Sequence, residues 1–389
     1  MKNLLLNEGY KIGDYYYGGN GSFIKDKKNS YLDLCCGGGS LLLGHNHSTF
    51  KSSLRILAES DISILANPNI QAVEFANKIK KILPQFDKFI FCNSGAEANM
   101  KAIRLSRAVT GKKKIVLVSG SWHGTLDQCL FKLNSKKKRL ESLSDGLDND
   151  LKKKVIIIPY NNIDESKKIL NKYKKEISCV MCEPIQGGLP NSKSVEYIVE
   201  LDKYCKKNNI IFLLDEIISG LRFQNGSFQR LKNIKSDIST FGKAFGGGFP
   251  IGFIGISKKI DQIIKSKNLN ILYGGTFSGN SLMCHFGVNF LDYYLKNKSK
   301  ITTEINKKAA YFSNEMNSFL IKHSLPIKVY QFQSMARIVF SDSEILNRAQ
   351  RDFLEKKQSS NILLMIKELK KAKIKYPSNG VLLFNYSMM

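Results

Sequence analysis

Short apolar runs alternate with longer amphipathic segments through the middle of the chain. Four runs are apolar almost without interruption, at residues 115–118, 155–158, 177–182 and 210–214. Helical periodicity marks segments between them, most clearly at residues 164–175 and 194–208. Such runs are typical of strands buried on both faces, and their alternation with helices predicts a mainly parallel sheet covered by helices. Ligands of such sheets bind at the carboxyl ends of the strands.

The two ends of the chain have different patterns. Turn signals at residues 19–21 and 26–29 separate short strand-like pieces near the start. Beyond about residue 290 we predict a helix at residues 301–323 and strands at 329–332 and 336–340. We therefore expect a large α/β domain (51–290) and a small α+β domain built from an N-terminal segment (1–50) and a shortened C-terminal part (291–389).

The strong positive charge raises the question of a nucleic-acid partner. Sixty Lys and Arg residues against 33 Asp and Glu give a net charge of +27. The basic residues are scattered in short runs, at 112–114, 136–139 and 152–154, and aromatic residues do not interleave with them. A base-stacking surface would need such aromatic residues. The pattern favours a lysine-rich surface, suited to small anionic molecules, over nucleic-acid binding.

Cysteine usage and hydropathy indicate the compartment. Of eight cysteines, Cys92, Cys179 and Cys182 lie in apolar runs, which is typical of buried free thiols in a reducing environment. No second Cys pair accompanies Cys179 and Cys182, so we expect no metal site. The apolar residues 4–6 are too few for a signal peptide, and no apolar stretch approaches the roughly 20 residues of a membrane helix. We expect a soluble cytoplasmic protein.

A first candidate site lies at residues 93–99, where a strand-like run leads through Ser94 and Gly95 into a helix. The free N–H groups and positive dipole end of a helix N-terminus can bind a phosphate. A simple N-cap by Ser94 is an equally good interpretation of this segment alone.

Two further candidates also follow predicted strands. Trp122, the only tryptophan, is followed by His123 and could stack on a cofactor ring, although a core position is equally consistent with the sequence. Asp215 ends a continuous apolar run. A carboxylate there is costly to desolvate without a cationic partner, and a protonated pyridine nitrogen would be one.

Lys243 stands alone in a stretch of glycine and aromatic residues, whereas other lysines of the chain are clustered. An amine in a partly apolar site has a lowered pKa and reacts with aldehydes. The order of residues excludes a P-loop. A polar turn around Thr276, before a helix predicted at 281–294, could contact a second side of a phosphate.

Two other motifs carry less weight. His45 and His47 form an H-x-H pair, but no third ligand is in view, so a packed turn is the better interpretation. Gly37, Gly38 and Gly39 lack the strand and helix that flank a dinucleotide-binding loop.

Taken in order, these elements resemble the class III aminotransferases of fold type I, most closely the glutamate-1-semialdehyde 2,1-aminomutase branch. The resemblance covers roughly residues 20–295. The matching segments are LLLGH at 41–45, NSGAEAN at 93–99, SWHG at 121–124, PYN at 159–161, EPIQ at 183–186, LDEIISGLR at 214–222, FGKAFGGGFP at 241–250 and GTFSGN at 275–280.

The resemblance implies pyridoxal 5'-phosphate (PLP) as cofactor and a homodimer with the site at its interface. Catalysis would fall to Lys243, which holds PLP as a Schiff base and moves the proton, and to Asp215, which holds the pyridine nitrogen. The cofactor-binding residues implied are Ser94, Gly95, Ala96, Trp122, His123, Glu183, Asp215, Lys243 and Thr276, the last reaching the phosphate of the neighbouring subunit.

The chain departs from the family pattern in a few places. Ser48 and Ser281 stand where the family usually has proline. Met388 and Met389 stand about where the aminomutase branch has a Phe-Glu pair, so we expect its substrate-facing glutamate to be missing. The N-terminal arm is also short. Both differences affect the side of the site that selects the substrate.

We interpret the chain as a transaminase that moves an amino group from a donor, L-glutamate, to a small carbonyl compound that is phosphorylated or otherwise anionic. Intramolecular exchange of the aminomutase type is the main alternative. Decarboxylation or racemisation on the same scaffold, and a binding protein without catalysis, are further alternatives; the presence of both Lys243 and Asp215 argues against the last.

Overall fold

The computed structural model describes residues 15–65, 68–134, 139–341 and 343–388. The strands, numbered along the chain, are β1 (Gly18–Asn20), β2 (Phe23–Lys25), β3 (Ser30–Asp33), β4 (Lys88–Cys92), β5 (Lys114–Val118), β6 (Phe131–Asn134), β7 (Arg139–Ser142), β8 (Val155–Ile158), β9 (Ile177–Cys182), β10 (Ile211–Asp215), β11 (Ile238–Gly242), β12 (Gly252–Ile256), β13 (Lys328–Phe332), β14 (Met335–Val339), β15 (Ile374–Lys375) and β16 (Leu382–Leu383). The helices are α1 (Ser48–Ala58), α2 (Ile70–Ile82), α3 (Gly95–Thr110), α4 (Ile163–Tyr173), α5 (Ser194–Lys207), α6 (Phe228–Lys232), α7 (Lys258–Ser266), α8 (Ser281–Lys322), α9 (Arg348–Lys357) and α10 (Ser359–Lys371).

A seven-stranded sheet forms the centre of the molecule, in the order β4-β12-β11-β10-β9-β5-β8. The neighbours from β11 to β8 are all parallel, and only β12 runs against its neighbours. Alternate strand residues enter different cores, one with α3 and α7 and the other with α4 and α5. The predicted mainly parallel sheet with helices on both faces is confirmed.

Strand β12 was not predicted, because glycines at 252 and 255 interrupt its apolar run. The structure explains both glycines. A Cβ on Gly255 would lie 2.7 Å from the Phe86 ring, and one on Gly252 would lie 2.0 Å from the carbonyl oxygen of Ser94. The strand therefore approaches its neighbours more closely than any side chain would allow.

Both ends of the chain join in smaller sheets beside the central one. Strand β15 pairs in parallel with β3 in the four-stranded sheet β1-β2-β3-β15, and β13-β14-β16 form another sheet. Helix α8 is continuous for 42 residues, whereas the sequence suggested two helices at 281–294 and 301–323. The residues between them include neither glycine nor proline, so nothing interrupts the helix there. The boundary at 290/291 therefore falls inside a helix.

Some sequence interpretations fall outside the described residues: those on the first 14 residues, on Lys136, Lys137 and Lys138, and on Met389. Cys92, Cys179 and Cys182 are buried and free, as predicted. Among the helices in the described ranges, none combines the length and apolar character needed to cross a membrane.

Glu216 ties the end of the central strand β10 to helix α6. It is fully buried, and burial raises the pKa of its carboxyl group. One carboxyl oxygen accepts hydrogen bonds from Ser219 Oγ (3.0 Å) and the Phe228 N–H (2.7 Å). The other accepts from the Gln229 N–H (3.3 Å) and from Gln229 Nε2 (3.1 Å). Glu216 thus accepts from the first two N–H groups of α6, while Ser227 caps the Arg230 N–H.

We expect Glu216→Ala to lower the free energy of unfolding by about 2–4 kcal/mol, because each buried donor left without an acceptor costs about 1–3 kcal/mol and water can rehydrate some of them. Urea unfolding followed by circular dichroism measures this change. Asp150→Ala, at an exposed acidic residue, is the control and should leave the midpoint unchanged. Equal midpoints for the two variants would contradict the structural role of Glu216.

Candidate active site

The predicted site residues meet at the carboxyl edge of the central sheet. Asp215 ends β10, Glu183 follows β9, and Lys243 follows β11. Trp122 and His123 lie in the loop after β5. Because these four strands are parallel, their carboxyl ends face the same side, which is where such sheets bind ligands.

Lys243 begins a short 3-10 turn in a left-handed backbone conformation, with φ of 46°. Its Nζ donates a hydrogen bond to the carbonyl oxygen of Gly38, at 2.7 Å. Burial, and next the positive charge of Arg222, lower the pKa of the Lys243 amine, while Asp215 and Glu183 act in the opposite direction. The lowered pKa enlarges the neutral fraction of the amine at a given pH, and the neutral amine is the nucleophile.

Asp215 is buried and receives hydrogen bonds on both oxygens. Its Oδ2 accepts from Asn99 Nδ2 (2.9 Å) and pairs with His123 Nδ1 (2.7 Å), and its Oδ1 accepts from the Ile217 N–H (3.0 Å). Thr240 in turn donates to Asn99 Oδ1 at 2.6 Å. This network holds the carboxylate in one orientation. His123 Nε2 is buried and has no hydrogen-bond partner among the described residues.

Helix α3 begins at the predicted phosphate-binding turn. Ser94 is the N-cap, since its side chain accepts from the Glu97 N–H at 3.2 Å. The cap leaves the N–H groups of Gly95 and Ala96 without a hydrogen bond in the described ranges, so the two interpretations of this segment are compatible. The space around it is tight: a Cβ on Gly95 would lie 2.6 Å from Ile217, and one on Gly124 2.7 Å from Ala96.

Glu183 supports the loops on either side of it. Its Oε1 accepts from the Trp122 N–H at 2.7 Å, and its Oε2 from the Gly187 N–H at 3.3 Å. Burial raises the pKa of this carboxyl group. The Trp122 side chain is 53% exposed, which excludes the core position that the sequence left open. The exposed ring lies in the same loop as His123, which contacts Asp215, and is available to a ligand.

Thr276 lies apart from this cluster. It is exposed, and in the described ranges no hydrogen bond joins it to Lys243 or Asp215. Its segment is attached to α3, where Lys101 Nζ donates to Ser278 Oγ (3.3 Å) and Arg104 Nη1 donates to the Leu272 carbonyl oxygen (2.9 Å).

The two histidines of the H-x-H pair have protein partners: His45 Nε2 contacts Asp33 at 2.8 Å, and His47 caps α1.

The sequence did not identify three residues that the structure places around the site. Asn99 and Thr240 complete the network of Asp215, and Arg222 lies fully buried near Lys243. Asn99 was within a matched segment, and a polar residue on the buried face of α3 was the available signal. Nothing in the linear pattern around Thr240 or Arg222 indicated that their side chains turn inward.

These residues fit PLP. Lys243 supplies an amine for its aldehyde, and Asp215 a fixed carboxylate for its protonated ring nitrogen. The unpaired N–H groups at the start of α3 suit its phosphate, and Trp122 offers an exposed aromatic face.

Comparison with known proteins agrees with this geometry. The family model "Aminotransferase class-III" matches residues 13–365. A glutamate-1-semialdehyde 2,1-aminomutase from Methanococcus maripaludis (strain C7 / ATCC BAA-1331) is 34% identical over 333 residues, which are 83% of this chain and 75% of that protein. The enzyme of the same name from Methanosphaera stadtmanae is 34% identical over 321 residues, covering 82% of this chain and 74% of that protein.

Solved structures share the fold at lower identity. An omega-transaminase from Sphaerobacter thermophilus aligns with a TM-score of 0.89 and 20% identity, over 100% of this chain and 91% of its own. A glutamate-1-semialdehyde-aminomutase from Pseudomonas aeruginosa PAO1 aligns with a TM-score of 0.83 and 16% identity, over 96% of this chain and 83% of its own. The family match, the relatives at 34% identity and the shared fold lead to one conclusion: the chain belongs to the class III aminotransferases, fold-type-I enzymes whose cofactor is PLP.

Proposed function

We propose that this protein is a transaminase that takes an amino group from L-glutamate and passes it to a small anionic carbonyl compound, with Lys243 and Asp215 as its catalytic residues. The observation that carries the proposal is the pairing of a buried amine, hydrogen-bonded to Gly38, with a carboxylate fixed by Asn99 and His123 at the same sheet edge. A binding module would have no need of both groups.

Each residue of the cluster has a distinct task in this proposal. Bound PLP supplies an aldehyde that condenses with amines and a ring that withdraws electrons from the substrate carbon. The Asp215 carboxylate keeps the ring nitrogen protonated, and Asn99 and His123 hold that carboxylate in place. Lys243 Nζ takes the proton from the α-carbon of the donor and returns it on the cofactor side. The N–H groups of Gly95 and Ala96 and the Ser94 turn bind the phosphate.

The remaining predicted contacts complete the site. Trp122 stacks on the ring from its exposed face, and His123 Nδ1 supports Asp215 from behind. Glu183 accepts a hydrogen bond from the Trp122 backbone N–H and so orients the Trp122 indole ring.

The acceptor is a small anion, for which the net charge of +27 provides long-range attraction. The free cysteines, nearly all of them buried, support a cytoplasmic location.

Intramolecular exchange is the second candidate, because the relatives at 34% identity are named glutamate-1-semialdehyde 2,1-aminomutases. Both reactions need the same amine, carboxylate and phosphate-binding turn. They differ in whether a free oxo acid leaves the site.

A homodimer with an active site at the interface is part of the proposal. Thr276 is exposed, and two large apolar neighbours on the same segment are exposed as well, Leu272 at 76% and Phe277 at 53%. Exposed apolar side chains of this size favour a protein partner. A second copy placed there would bring Thr276 to the phosphate of the neighbouring subunit.

We expect the PLP form of the enzyme, incubated with L-glutamate alone, to release about one equivalent of 2-oxoglutarate per site. Lys243→Ala should abolish the visible absorbance of the covalently held cofactor and lower the rate by roughly 10²–10⁴-fold or more, since it removes the base. Coupled assay of 2-oxoglutarate and absorbance spectroscopy measure the two effects.

Lys113→Ala, in a basic run outside the site, is the matched control and should behave as the unaltered enzyme. Failure to release 2-oxoglutarate, together with isomerisation of glutamate 1-semialdehyde, would favour the second candidate. Full activity of Lys243→Ala would refute both.

The lowered pKa of Lys243 predicts how the cofactor-free enzyme responds to pH. Only the neutral amine attacks an aldehyde, so capture of PLP should rise with pH around a midpoint below 10.5, the ordinary lysine value. Trapping with borohydride at each pH, followed by mass spectrometry of the Lys243 peptide, measures the rate. N-acetyl-lysine serves as the reference for the titration of PLP itself. A midpoint at or above 10.5 would disprove the shift.

We expect Phe277→Asp to weaken dimerisation, since a charge would have to be desolvated in the proposed interface. Sedimentation velocity at several protein concentrations measures the dissociation constant. Tyr311→Asp, at a residue 70% exposed on α8, is the control and should leave it unchanged. Equal dissociation constants for both variants would place the interface elsewhere.

A further inference from the structure

Arg222 is a fully buried cation in the loop after β10. Its guanidinium donates only to neutral acceptors. Nη1 donates to the Phe384 carbonyl oxygen (3.0 Å) and to Ser334 Oγ (3.4 Å), and Nη2 donates to the Gly39 carbonyl oxygen (3.1 Å). The Nε–H group is buried and has no partner among the described residues.

No acidic side chain in the described ranges forms an ion pair with Arg222. The other strongly buried arginines differ in this respect, because Arg337 pairs with Glu355 and Arg351 with Asp352 and Glu355. The nearby Cys36 thiol does not compensate, since burial raises its pKa to about 12 and leaves it neutral. An unpaired buried charge costs several kcal/mol, so its retention calls for a reason.

The Gly37–Gly39 turn connects Arg222 to the reactive lysine. Arg222 holds the Gly39 carbonyl, and the carbonyl of the preceding Gly38 accepts from Lys243 Nζ at 2.7 Å. A Cβ on Gly39 would lie 3.3 Å from Lys243 Cδ and 3.8 Å from Arg222 Nη2. A side chain there would be tight against Lys243, and the φ of 97° at Gly39 also favours glycine.

We propose that Arg222 is a positioning residue for Lys243: its unpaired charge favours the neutral amine, and its hydrogen bond to Gly39 holds the turn that orients that amine. The inference rests on the proposed function, because it takes Lys243 as the reacting amine. A simple structural clamp would need the hydrogen bonds of Arg222 but not its charge.

The charges around Lys243 determine the sign of the expected effect. Arg222 disfavours the ammonium form, whereas Asp215, Glu183 and the Cys35 thiol favour it. Removing the charge of Arg222 leaves only groups that favour the ammonium form, apart from burial itself. The pKa of Lys243 should then rise.

The test is the pH dependence of PLP capture at Lys243 in three variants. In Arg222→Gln, which keeps a donor for Gly39 but loses the charge, the midpoint should rise by about one pH unit or more. In Arg222→Lys, which keeps the charge, the midpoint should stay within a few tenths of a pH unit of that of the unaltered enzyme. Arg351→Gln, which removes a buried arginine with acidic partners, is the matched control and should leave the midpoint unchanged. Arg222→Met replaces the Gln variant if the latter does not fold.

An unchanged midpoint in Arg222→Gln (or in Arg222→Met, where it replaces the Gln variant) would overturn the inference and leave Arg222 a structural clamp. The same rise in Arg222→Lys would do so as well. Neither result affects the proposed function, which fails separately if Lys243→Ala remains active. A rise in the neutral variants alone supports the role of the charge. Thermal unfolding of each variant, measured in parallel, reports the loss of hydrogen bonds independently of the midpoint.

Discussion

The buried carboxylate of Asp215 sets the strictest condition on this structure. A charge at the end of an apolar strand is tolerated only when hydrogen-bond donors surround it. Asn99 from α3, His123 from the loop after β5 and the Ile217 N–H supply these donors. Three separate parts of the chain must therefore arrive at one place before Asp215 can be buried, and that same place contains the first turn of α3 and the amine of Lys243.

Asp215 and its neighbour Glu216 divide two tasks between them. The Asp215 side chain faces the site, whereas Glu216 is fully buried and binds Ser219 and the start of α6. One carboxylate belongs to the hydrogen-bond network of the candidate active site, and the other holds the start of α6.

The region of Lys243 joins a glycine turn to a buried guanidinium. The Lys243 amine donates to the carbonyl of Gly38, in a turn that contains only glycine. Beneath the turn, Arg222 joins Gly39 to the late segment at Phe384 and Ser334. One buried guanidinium thus connects the glycine turn that contacts Lys243 to the late segments at Ser334 and Phe384.

The sequence by itself determined the mainly parallel sheet and the bounds of its most apolar strands to within a residue, because burial on both faces is a local pattern, and its motifs indicated the family. It missed β12, whose glycines only make sense beside Phe86 and the Ser94 backbone, and the continuity of α8. The side-chain donors to Asp215 lie 92 and 116 positions from it, and the exposure of Trp122 and the unpaired charge of Arg222 depend on which way a side chain turns. Only the tertiary structure decides such relations, because the physical forces behind them act between side chains that the linear sequence does not bring together.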